Sequence, residues 1–135
     1  MIKQKLFRTV DANFNRAKEG LRVCEDLCRF VLDHKASTRK IKNIRHELSK
    51  ILGPLYLKQI IKARDIQKDV GKATSNAEVK RKGSRDLFFA NIQRVKVSIR
   101  VLEEFSKVLN RQVAEKLKRL RYKVYALEKE VVEEL

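Results

Sequence analysis

The sequence predicts an all-α fold, four-helix-bundle-like, in which a long polar connection joins two pseudo-symmetric helical hairpins. Three observations predict it. One Pro and four Gly occur in 135 residues, too few for a turn-rich β fold. Apolar residues recur at spacings of three and four, the mark of one buried helix face. The chain also writes one hairpin twice. ANFNRAKEGLRVCEDLCRFV (12–31) returns as ANIQRVKVSIRVLEEFSKVL (90–109) at an offset of 78, with seven of twenty positions identical. KIKNIRHELSKI (40–51) returns as KLKRLRYKVYAL (116–127) at an offset of 76. Two such hairpins stacked about a pseudo-two-fold axis close a bundle. The expected halves are about 5–52 and 85–132 within a single domain of 1–135, with 53–84 connecting them.

The first helix carries Leu6, Val10, Phe14, Ala17, Leu21, Cys24, Leu27, Cys28 and Val31 on its stripe. Asp33-His34-Lys35-Ala36 breaks the pattern, and Ser37 or Thr38 supplies a cap for the second helix. Ile41, Ile44, Leu48 and Ile51 give that helix its stripe, and Gly53-Pro54 is its expected stop. Leu55 to Ala63 has apolar residues for a further turn or two. From Arg64 to Ser84 the chain turns polar, and loops of this length in small domains tend to be functional or disordered. Ser84 is a cap candidate for the third helix, which runs to Leu109 with Asn110 as its stop. The fourth starts near Gln112.

Composition bounds the function. A net charge of +16 points to anionic partners: nucleic acid, anionic lipid or phosphorylated small molecules. The Lys/Glu-rich style also occurs where charges are only solvated surface. No apolar run approaches the roughly 20 residues of a membrane span, and the N-terminus lacks an apolar signal core, so a cytoplasmic protein is expected. Cys24 and Cys28 both fall on the apolar stripe and read as core. There is no P-loop, dinucleotide fingerprint or HExxH signature.

The repeated polar residues point to a site, because a packed helix needs its apolar spacing repeated but not its polar residues. On a helical wheel Asn13 and Asn91 lie inside their stripes, Glu25 and Glu103 at the edge, and Arg22 and Arg100 farther out. Arg16 and Arg94 flank the other edge. For the amides the bland reading is an interhelical polar contact; for the charges it is ion pairing along the helix surface, as Arg22 with Glu25 and Asp26. Arg64-Asp65 with Asp69-Val70-Gly71 is suited to Mg²⁺ and a phosphate, though it also reads as an ordinary loop. His46 reads as a boundary residue and His34 as a turn residue.

Asp11-Ala12-Asn13-x-Asn15-Arg16-Ala17-x-Glu19-Gly20-Leu21-Arg22-Val23-x-Glu25-Asp26 resembles the opening signature of a small helical family in thiamin biosynthesis. Arg45-His46-Glu47-Leu48, Ala63-Arg64-Asp65, Asp69-Val70-Gly71, Arg100-Val101-Leu102-Glu103-Glu104-Phe105 and Leu120-Arg121-Tyr122 fit in the same order. The family is that of monofunctional hydroxymethylpyrimidine phosphate kinases, also found fused before thiamin-phosphate synthase. The resemblance implies transfer of phosphate from ATP, with Mg²⁺, to the pyrimidine monophosphate. It also implies a synthase supplied in trans. Val97 departs from the family, which tends to carry Glu there, opposite Glu19.

A phosphate acceptor is already anionic near neutral pH and needs cation density rather than a strong base. On that ground Arg16, Arg22, Arg64 and Arg100 are expected to hold phosphates. Asp65, Asp69, Glu25 and Glu103 are the pool for Mg²⁺. Asn13, Asn91, Arg45, His46 and Glu19 are expected to contact the substrate. Two other readings stay open: a basic nucleic-acid-binding module, against which the core-spaced Phe residues weigh, and another all-helical enzyme with an Arg-lined anion pocket. Helical bundles of this size often pair, so a homodimer is a further expectation.

Overall fold

The computed structural model describes residues 2–75 and 79–135. Its helices are α1 (Ile2–Asp26), α2 (Lys35–Ala63), α3 (Ser84–Leu109) and α4 (Arg111–Val132), and a π-helical turn, Leu27–Val31, extends α1. No strand occurs among the described residues. The expected all-α fold is what the chain forms. The side chains of 53–57, and residues 76–78 of the expected connection, lie outside the described residues.

α1 packs on α2 and on α3, and α4 packs on α3 and α2, so the four helices form a ring. Named contacts give the directions. Cys24 Sγ meets the Phe88 carbonyl at 4.0 Å, while Gly20 lies against Asn91 and Val95, so α1 and α3 are antiparallel. Lys40 pairs with Glu130 and Lys123 with Glu47, so α2 and α4 are antiparallel too. Each hairpin is antiparallel by construction, which leaves α2 and α3 running the same way. The connection must therefore return along the bundle. It leaves α2 with Arg64 beside Asp11 and re-enters where Phe88 meets Cys24, about 20 Å farther along α1 at 1.5 Å per residue. The length of the polar segment follows from this crossover, an arrangement known in four-helix bundles.

One core fills the ring: Phe14, Leu21, Ile41, Leu48, Phe88, Ile92, Leu102, Leu117 and Leu120 are all buried in it. Cys24 and Cys28 are free and fully buried, as expected. Desolvation holds their thiols neutral, with the pKa of Cys24 pushed up to about 12 and that of Cys28 to about 11. Gly20 sets the closest approach of α1 to α3. A Cβ there would stand 2.7 Å from Val95 Cγ2 and 3.0 Å from the Asn91 carbonyl oxygen.

Several boundaries differ from expectation. Gly53-Pro54 does not stop α2, which runs on to Ala63. Pro54 has no N–H for the carbonyl of Lys50, an interior cost of about 3 kcal/mol. Burial of Leu52 before it and Ile60 and Ala63 after it offsets that cost. The first half is thus longer than 5–52, and the connection shortens to 64–83. The cap of α2 is His34 rather than Ser37 or Thr38: its Nδ1 accepts from the Ser37 amide at 3.2 Å, with Ser37 Oγ 2.8 Å away. Gly83, with no side-chain acceptor, precedes α3, and Ser84 is its first residue. Asn110 is the predicted stop, and its Oδ1 also caps α4 by accepting from Gln112 and Val113. The π turn rotates the end of the first stripe, so Val31 is 59% exposed instead of buried.

Candidate functional site

The repeated charges do not gather in one place. Glu25 and Glu103 are not at a stripe's edge but buried, each only 3% exposed. Glu25 accepts from Arg22 Nη1 at 3.2 Å and from Arg45 Nε at 3.2 Å. Glu103 accepts from Arg121 Nε at 2.8 Å and faces Arg100 Nη1 at 3.7 Å. Each hairpin is thus clasped by the same Arg–Glu–Arg triad, and Arg22 and Arg100 reach on to Asp26 and Glu104. A buried carboxylate needs such partners. The hydrogen bond to Glu103 holds the Arg121 guanidinium above its ordinary pKa. The positions proposed for metal at Glu25 and Glu103 are therefore occupied by guanidinium groups.

The amides also differ from expectation. Asn13 is buried and Asn91 only half-buried. Neither reaches across helices through its Nδ2: Asn13 donates to the Thr9 carbonyl at 2.9 Å and Asn91 to the Leu87 carbonyl at 2.8 Å. Both therefore satisfy themselves on their own helix.

A second group of predicted residues does come together. Arg16, Asn13, Glu19, Arg64, Asp65 and Asp69 line an open cleft of about 780 Å³ where the connection leaves α2 and passes over the outer face of α1. Sequence reasoning missed its anchor, Asp11. This carboxylate is 5% exposed and accepts from Arg64 Nε and Nη2, both at 2.8 Å. That pair holds the Arg64 guanidinium above its ordinary pKa. Asn15 Nδ2 donates to Asp11 Oδ1 at 3.2 Å and to its carbonyl at 3.0 Å. Arg8, also missed, donates to the Asp65 carbonyl at 3.1 Å and ties the loop down from below. Asp65 Oδ1 accepts from the Lys68 amide and Asp69 Oδ1 from the Gly71 amide. One signal for Asp11 was present in the sequence: the repeat places Phe89 opposite it, so the fold does not require an acid there.

The cleft lining is balanced: Lys5, Arg8, Arg16 and Arg64 against Asp11, Glu19, Asp65 and Asp69. Arg100 lies elsewhere, with Glu103 in a cleft on the α3–α4 seam. Arg22, Arg45, Asn91 and the exposed His46 line none of the clefts described. Among the described residues no three His, Cys, Asp or Glu stand close enough to form a metal cluster. No helix among them is long and apolar enough to cross a membrane.

Residues 8–130 match the ThiD2 family, and the chain belongs to it. It is 38% identical over 128 residues to a protein of Nostoc punctiforme named thiamine-phosphate synthase, covering 94% of this chain and 35% of that one. It is 41% identical over 122 residues to one of the same name from Synechocystis, covering 90% and 34%. A third, from Thermosynechococcus vestitus, is 36% identical over 126 residues, covering 93% and 35%. These relatives carry the synthase's name rather than a kinase's, and the chain spans about a third of their length. No solved structure matches the chain.

Proposed function

We propose that this member of the ThiD2 family is an enzyme of thiamin biosynthesis, a kinase that converts hydroxymethylpyrimidine phosphate to the pyrophosphate with ATP. The observation that carries the reading is the crossover cleft, which sets cations and carboxylates face to face under a loop. Phosphates alone would be repelled by so many acids. Phosphates accompanied by a divalent cation would suit both sets of charges.

The roles follow from the geometry. Asp11 fixes the Arg64 fork by two of its donors, which leaves the third nitrogen, Nη1, for an acceptor phosphate. Arg16 adds charge from α1, with Asn13 Oδ1 3.4 Å from its Nη1. Asp65 and Asp69 each use Oδ1 within the loop, and the other oxygen of each suits Mg²⁺, which binds through one or two carboxylates together with phosphate oxygens. When bound, that ion supplies charge neutralisation between donor and acceptor phosphates. The acceptor is a phosphate oxygen, so the cleft needs no histidine base. Asn13, Asn15 and Glu19 remain to orient the pyrimidine ring.

The test follows ³¹P resonances of ATP and the pyrimidine monophosphate with the purified protein and Mg²⁺. A growing diphosphate ester with matching ADP is expected. No ADP above the enzyme-free control would overturn the reading.

A further inference from the structure

Each hairpin tip carries a basic cleft, and the repeat makes the two clefts counterparts. At the tip of the first, Arg29, Lys35, Arg39 and Lys42 line a cleft of about 450 Å³. At the tip of the second, Arg100, Lys107, Arg111, Lys118 and Arg121 line one of about 570 Å³. By the repeat offsets Arg29 corresponds to Lys107, Lys35 to Arg111, and Lys42 to Lys118, while Arg39 alone of the four falls opposite an acid, Glu115. Two of these pairs have exchanged Lys for Arg, so the charge is shared where the side chain is not. All six are exposed, and no packing demand explains a cation at each.

The second cleft is the deeper of the two in chemistry. Arg121 forms its floor with a side chain 10% exposed. Arg121 uses Nε on Glu103 and Nη1 on the Tyr125 hydroxyl at 2.7 Å, which leaves Nη2 of its five-donor fork for a ligand. The Tyr122 ring stands at the rim, 5.4 Å from the guanidinium carbon. Five cations line it with two carboxylates, Glu103 in the triad and Glu115 3.4 Å from Arg111, and Glu104 beside it pairs with Arg100 and Lys107, so Lys118 and the Nη2 of Arg121 are left over. This excess of positive charge distinguishes it from the balanced crossover cleft, which calls for a metal.

We infer that the α3–α4 cleft is a metal-independent binding site for a phosphate chain, that of a nucleotide or of inorganic polyphosphate. The inference does not rest on the kinase reading. A preparation with no turnover that still binds at this cleft would leave it standing.

The experiment titrates ATP and tripolyphosphate, each in EDTA, into the full chain by calorimetry. The parent is compared with the double variant R111E/K118E and with K50E/K129E, which makes the same charge change on other exposed helix positions. Binding is expected to weaken at least tenfold in R111E/K118E and to stay within twofold of the parent in K50E/K129E, with melting temperatures confirming folded chains. Similar affinities for the two ligands identify the bare chain as the recognised group. Tighter binding of ATP, lost in Tyr122→Ala, identifies a nucleotide stacked on the ring. Three outcomes would overturn the inference: no binding of either ligand, binding retained in R111E/K118E, or equal weakening in K50E/K129E, which would mean attraction by net charge alone.

Discussion

In the first hairpin Glu25 joins Arg22 and Arg45; in the second Glu103 joins Arg100 and Arg121. The inner seams of the two halves are thus nearly the same. Their outer faces are not. Asp11 and Glu19 on the first helix stand where the third has Phe89 and Val97, and the first face lines the cleft with Arg64, Asp65 and Asp69 of the crossover. The comparison separates two reasons for a repeated polar residue. Repetition inside the seam serves the architecture, since both hairpins must be clasped. Loss of repetition outside marks where the two faces differ, and the cleft proposed for the kinase reaction lies on the first of them.

The sharpest way to break this comparison is at Asp11. Asp11→Ala frees Arg64 and is expected to lower kcat/KM for the pyrimidine monophosphate by about 100-fold. Steady-state kinetics at saturating ATP would show it, and a change under twofold would remove the pair from the site. Next come the clasps. Glu103→Gln strands the nearly buried Arg121 and should cost about 3 kcal/mol in urea unfolding. Glu25→Gln, whose partners are 20% and 54% exposed, should cost about half as much. Equal costs would mean the halves are not differentially buried. Gly20→Ala pushes a methyl into Val95 and the Asn91 carbonyl, with an expected loss of about 1–3 kcal/mol. The smallest effect is expected from Val97→Glu, which restores the matching carboxylate on a half-exposed site. Activity within twofold of the parent would agree with a single site, and a marked gain would argue for two.

The thiols add a pH test that is independent of the site. Both have folded pKa values raised from an ordinary 9.0, to about 12 for Cys24 and about 11 for Cys28. Their contribution to stability is complete below pH 9 and falls as pH rises from there towards the folded values, because only the unfolded chain readily ionises them. Urea midpoints of the parent should drop above pH 9 more than those of a Cys24→Ala/Cys28→Ala chain. Parallel curves would contradict the burial.

Much of the architecture was legible in the residues. The duplicated hairpin, the stripes and Asn110 as a stop all needed only local spacing. Glu25 was misplaced because a wheel with one stripe assumes one partner, whereas α1 buries a wider arc against both α2 and α3. Asp11 was illegible as an anchor because its partner lies 53 residues away in a loop whose course periodicity does not record. Pro54 misled for the opposite reason. It is a strong local signal, and buried apolar residues on both sides override it.

The shared direction of α2 and α3 bears on how the chain assembles. Each hairpin can close by contacts near in sequence, while the two halves meet only through pairings such as Cys24 with Phe88 and Lys40 with Glu130. The connection then serves as a tether that raises the effective concentration of one half for the other. Cut between residues 72 and 83, the protein becomes two fragments, each a hairpin with an unpaired apolar face. Their reassociation would be governed by concentration rather than by chain length.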